Sequence, residues 1–138
     1  VTTRRFVLTV HSAPRCWMNV VVYDTTEEMR RASMRHRPSS DPVAISECGA
    51  CFQAAGTTHA TYLGIARFSR EFLTVAAVVH EAVHAALVYV QKTRDVNRLH
   101  LDAWSDGERT IDNEEALAYS VHGIATSLLT ELGLVVAH

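Results

Sequence analysis

The sequence predicts a single α+β domain, a small twisted sheet packed on a central helix with a second helix toward the C-terminal end. Three observations carry this. Short β-branched runs bounded by turn residues fill the first half of the chain, one long segment is apolar on every helical face, and a second helical pattern runs up to Gly133. At 138 residues and 48% hydrophobic content there is material for one core and no more, so the domain is taken as residues 1–138.

Residues 4–10 (RRFVLTV) and 17–23 (WMNVVVY) read as two strands around the turn-like HSAPR. A helix then opens at Asp24-Thr25-Thr26, where Thr25 followed by Glu28 has capping-box spacing, and EEMRRASMRHR continues it as a polar, solvent-facing helix. Pro38 and Pro42 in PSSDP end it, since proline cannot continue a hydrogen-bonded helix. Short strands follow at 43–46, 51–54 and 59–68, with AAGTT as a turn between the last two. Thr61, Leu63 and Ile65 alternate with Tyr62, Gly64 and Ala66, as in a half-buried strand, and Gly64 within it marks a bulge or a close backbone approach. Ser69 caps a long helix over about 70–92, whose interior FLTVAAVVHEAVHAALVYV has the composition of a buried element. Residues 93–111 are polar and irregular. The last helix spans about 113–132 and stops at Gly133.

Thirteen Lys+Arg against fifteen Asp+Glu leave a net charge of −2, so a wholesale nucleic-acid binder is not expected. No run reaches the roughly 20 apolar residues of a membrane helix. The opening VTTRRFVLTVHSAP is too interrupted for a signal peptide. Three cysteines (Cys16, Cys48, Cys51) are an odd set, unlike a secreted disulfide framework, and point to a reducing compartment, the cytoplasm.

The long helix contains His80-Glu81-Ala82-Val83-His84, an HExxH motif. Positions i and i+4 lie about 40° apart around a helix and one turn apart along it, so both imidazoles converge on one point, as two ligands of a tetrahedral zinc must. Glu81 stands about 100° around from His80, placed to act on water at the metal's open side without ligating. Two histidines and a glutamate are expensive to bury among valines, alanines and leucines unless something satisfies them together, and Zn2+ does. A catalytic zinc needs a third protein ligand, for which His100, Asp102, Asp106, Glu108, Glu114, Glu115 and His122 lie downstream.

HExxH followed some thirty residues on by a helix with Glu115-Ala116-Leu117-Ala118 resembles the gluzincin branch of the zincin metallopeptidases. The compact size and element order resemble the small ImmA/IrrE-like and phage-encoded members. The resemblance covers roughly residues 60–125 and is carried mainly by HExxH. It implies a zincin-like fold in which the C-terminal helix supplies Glu115 as third ligand, with the small residue Ala118 one turn later letting that helix lie close to the HExxH helix. Glu115, Ala118, His122 and Ala125 form the facing stripe, against Ala82, Ala85 and Ala86. The sequence departs from thermolysin-like enzymes in having Ala118-Tyr119 where those carry Ser-Asp, so the aspartate that would orient a ligand histidine is missing there. Glu114 stands open as ligand in place of Glu115, as do His100, Asp102 and His122.

The function expected is zinc-dependent hydrolysis of peptide bonds, with Glu81 as general base, on a protein or peptide substrate and without nucleic acid or membrane as partner. Tyr119, one turn from Glu115, is placed to donate to an oxyanion, and His122 to face the cleft. The free edge of the strand over residues 60–68 is where an extended peptide would add. Two other classes stay open: a zincin scaffold that works by binding another protein, and a structural zinc protein with a closed four-ligand site. Cys48-Gly49-Ala50-Cys51 is a lone CxxC without a second pair. Arg30, Arg31, Arg35, His36 and Arg37 form a basic helix end, read first as a solvated face and second as a contact for an acidic partner.

Overall fold

A computed structural model of the chain describes residues 3–10, 15–36, 49–56, 59–93 and 108–134, with side chains from Glu114 onward in the last stretch. Four strands, β1 (Arg4–Val10), β2 (Cys16–Tyr23), β3 (Ala50–Ala54) and β4 (Tyr62–Ser69), form one mixed sheet in the order β1-β2-β4-β3. β1 pairs antiparallel with β2, β2 parallel with β4, and β3 antiparallel with β4. Among the described residues three α-helices, α1 (Thr26–His36), α2 (Val75–Thr93) and α3 (Glu108–Glu131), accompany the sheet, an α+β fold. Among the described residues no helix is long and apolar enough to cross a membrane. The expected strand at 43–46, the prolines expected to end the first helix, Cys48 and the stretch with His100, Asp102 and Asp106 lie outside the described residues, as does the side chain of Glu108.

Strand alternation divides the core. Leu8, Met18, Val20, Val22, Ala66 and Phe68 point to the face covered by α2 and α3, where they meet Val78, Ala82, Ala85, Ala86, Ile124 and Leu128. Val21, Tyr23 and Ile65 point to the other face and pack on Met29 and Ala32 of α1. Glu28 N–H donates to Thr25 Oγ1 at 3.2 Å, half of the expected capping box. The N-terminus of α1 takes a second acceptor from a distance: Thr26 N–H donates to Glu71 Oε1 at 2.7 Å.

β4 departs from the regular alternation. Leu63 faces α2 while Ile65 faces α1, so the two do not share a side. The cause is a register shift against β2, where Trp17 pairs with Tyr62 but Asn19 with Ile65. The extra residue sits at Gly64, with φ +137° and a backbone so close to β3 that a Cβ there would stand 2.2 Å from the Gln53 carbonyl oxygen. This is the bulge and close approach that the glycine signalled. β4 is also an inner strand, paired on both sides, which corrects the expectation of a free edge over residues 60–68. Among the described residues the free edges are those of β1 and β3.

The segment after β4 is two elements rather than one helix. Ser69 Oγ accepts from Glu71 N–H and caps a single 3-10 turn, Arg70–Phe72. α2 begins only after Leu73, with Thr74 as its cap: Thr74 Oγ1 accepts from Ala77 N–H at 3.1 Å. α2 is buried on one side only, with Ala76, His80, Val83 and His84 exposed, so it is not the wholly buried element its composition suggested. α3 ends as expected. Gly133 has φ +73°, its N–H reaches Thr130 O and Leu134 N–H reaches Leu129 O, a Schellman motif.

Candidate metal centre

α2 sets the geometry of the candidate site. Its buried stripe of Val78, Ala82, Ala85, Ala86 and Tyr89 faces the core. His80 and His84 therefore project from the outer side, one turn apart, with ring centroids 5.0 Å apart and Nε2 atoms 3.3 Å apart. Two nitrogens each about 2.05 Å from a tetrahedral ion are roughly 3.3 Å from one another. The pair thus already has the spacing that zinc demands. The same distance allows one imidazole N–H to donate to the bare nitrogen of the other.

Glu81 lies at the boundary between the buried and exposed sides. Its residue is 3% exposed, and Oε2 is buried without a hydrogen-bond partner among the described residues. One ligand atom from each of His80, Glu81 and His84 falls within 4.8 Å of the others. Burial pushes the Glu81 carboxyl up to about 6, against the opposing pull of His80. His84 is shifted downward, first by desolvation and then by repulsion from His80, which favours the neutral imidazole that can ligate a metal. Two imidazole nitrogens at ligand spacing fit a divalent cation such as zinc, and beside them lies a buried carboxylate oxygen with no donor among the described residues.

Only Glu81 of the three is buried, so the reasoning that all three polar groups sit inside an apolar helix is corrected. The signal was present in the sequence: Glu81 is three residues from Val78 and four from Ala85, on the edge of the buried stripe, whereas His80 and His84 align with exposed Ala76 and Val83.

Glu115, Tyr119 and His122 are exposed, Tyr119 at 76%, and none joins the cluster. The buried side of α3 is instead made by Ile124, Ala125 and Leu128, with Leu117 and Val121 half-buried. Of the expected stripe only Ala125 is buried; Glu115, Ala118 and His122 are rotated out of the helix–helix contact. The larger side chains decide this, because Leu117, Val121, Ile124 and Leu128 gain more from burial than the alanine-lined flank does. Glu114 is likewise exposed. Ala82, Ala85 and Ala86 are fully buried, as the close packing of a neighbouring helix requires. Comparison with known protein families, curated proteins and solved structures finds no match to this chain.

Proposed function

We propose that the protein is a zinc-dependent peptidase of zincin type, with His80 and His84 as metal ligands and Glu81 as general base. The observation that carries the reading is the His80–His84 nitrogen spacing of 3.3 Å with the buried Glu81 Oε2 beside it, which has no hydrogen-bond partner among the described residues. The mixed sheet lying over the HExxH helix supports the zincin-like fold. Zinc, when bound, would supply a Lewis acid for the substrate carbonyl and lower the pKa of the attacking water.

The chain's own contribution is proton handling. A carboxyl with its pKa near 6 is ionised at neutral pH yet basic enough to accept a proton. Glu81 Oε takes the proton of the attacking water and returns it to the leaving amine. An extended substrate would align along the outer edge of β3, the strand next to β4 on the side of the sheet that α2 contacts. Glu115 remains the proposed third ligand, and α3 would have to turn it toward the histidines when metal enters. Its exposure outside the cluster favours a second reading, a zincin scaffold that binds a partner protein without hydrolysing it.

Metal content and activity test both readings. Protein purified without chelator should carry one zinc per chain. Glu81→Gln should retain the metal and abolish cleavage of an unstructured protein substrate, whereas Glu115→Ala should bind zinc more weakly. Full cleavage by Glu81→Gln would sink the mechanism. Bound zinc without cleavage in the parent protein would favour the binding scaffold.

A further inference from the structure

Among the described residues, α1 covers only part of its face of the sheet. α1 starts at the Ser69 end of β4, where Thr26 Oγ1 lies 3.0 Å from Ser69 Oγ, and reaches Gln53 through Ser33, to which Gln53 Nε2 donates at 2.9 and 3.1 Å. Beyond it, among the described residues, lies an open surface. The Trp17 ring lies against Tyr62 with centroids 4.4 Å apart and planes tilted by 35°, His59 meets Tyr62 edge-on at 5.9 Å, and Asn19 Nδ2 donates to Tyr62 OH at 3.0 Å. Trp17 is 37% exposed and Val7, paired with Asn19 on β1, is 58% exposed.

The acidic groups on this side gather at one end, and cations stand along its length. Asp24, Glu27, Glu28 and Glu71 gather where α1 begins, and three of them are engaged: Asp24 with Arg70, Glu27 with Arg31 and Glu71 with Thr26 N–H. At the other end stand exposed Arg35, in the last turn of α1, and exposed Arg15, two residues before Trp17. Exposed Arg5 lies on the same sheet face in β1, opposite Val21 and so nearer the end where α1 begins. None of the four strands contains an aspartate or glutamate.

We propose that this face binds a single strand of nucleic acid, with a base stacking on the open side of Trp17 and phosphates against Arg5, Arg15 and Arg35. Aromatic platforms flanked by cations suit this ligand because every base has a π-face and every linkage a negative charge. The overall charge of −2 excludes a uniformly basic surface, not one basic face. An acidic peptide would satisfy the arginines but would leave the indole without a stacking partner.

The test is a fluorescence-anisotropy titration of a labelled twelve-residue oligo(dT), with chelator present so that the metal reading plays no part. Saturable binding at low salt is expected, weakened about tenfold by Trp17→Ala. The salt slope should flatten by about 0.7 for each of Arg5→Ala, Arg15→Ala and Arg35→Ala, whereas Arg31→Ala, already paired with Glu27, should leave it unchanged. The exposed arginine variants keep the proposal testable should Trp17→Ala fail to fold. Absence of saturable binding overturns the proposal. So does equal binding by a folded Trp17→Ala variant, and so does poly-L-glutamate binding as tightly with the same arginine dependence, which would assign the face to an acidic protein.

Discussion

Glu81 exchanges hydration for proximity to two imidazoles, and the exchange has a sign that stability measurements can read. Its carboxyl titrates near 6 in the folded protein, above the ordinary 4.5. Below pH 4.5 it is protonated in both states and costs nothing. As pH rises through 6 the folded state comes to hold a buried charge and loses stability, by about 2 kcal/mol for a shift of this size. Metal-free Glu81→Gln should therefore be more stable than the parent at pH 7 by about that amount and indistinguishable from it at pH 4, as followed by urea unfolding. A parent that is the more stable at pH 7 would mean that the carboxylate has a hydrogen-bond donor. On the proposed peptidase reading, activity should rise with pH through about 6 as Glu81 ionises. At this scale the sequence was informative about identity and less so about environment. HExxH names its residues by chemistry and spacing, but which of them is buried depends on how α2 is rotated against the sheet. Only the apolar stripe from Val78 to Tyr89 encodes that rotation.

Among the elements, the start of α2 and the bulge of β4 show how local chemistry positions the histidines. Thr74, not Ser69, caps α2, because the chain first makes the Arg70–Phe72 turn and then extends through Leu73, at φ −79° and ψ 89°. Thr74→Ala should cost about 1 kcal/mol, measured by thermal or denaturant unfolding. Ser69→Ala should act through the contact with Thr26 instead. Both residues have the chemistry of a cap, so pattern alone could not choose between them. Gly64 is more demanding. An alanine there must accept φ +137° and displace the backbone of β3, so Gly64→Ala should destabilise by at least about 2 kcal/mol. The glycine was legible as a bulge, whereas its effect on facing was not. Simple alternation put Leu63 and Ile65 together, and the inserted residue sends them to opposite cores.

For the molecule as a whole, zinc should act on stability by mass action rather than by filling a buried polar void, because both histidines are exposed residues. Chelated protein should stay folded. At free zinc a hundredfold above its Kd, the gain is about 2.7 kcal/mol, a rise in Tm of roughly 10 °C for a chain of this size. An unchanged Tm would deny the metal site. The core that sustains the apo fold is the layer between sheet and helix pair, where Leu128 is fully buried. Leu128→Ala should cost about 2–5 kcal/mol in the same measurement. The order of strands and helices was largely readable from sequence because β-branched runs and helical periods are local signals. The placement of β4 inside the sheet and the rotation of α3 were not, since both are decided by which surfaces compete for burial across long sequence distances.

The sheet is two local hairpins, β1–β2 and β3–β4, joined along the parallel β2–β4 line. Each hairpin closes over a short stretch, residues 11–15 or 55–61. The join must close over residues 24–61. Loop closure grows dearer with length, so the hairpins should assemble first and the parallel join should limit the rate of folding. Doubling the stretch between β2 and β4 with a Gly-Ser insertion between His36 and Gly49 should slow refolding about threefold and leave the unfolding rate unchanged, as stopped-flow traces would report. Equal slowing from an insertion within residues 55–61 would mean that the hairpins, not their union, form the bottleneck.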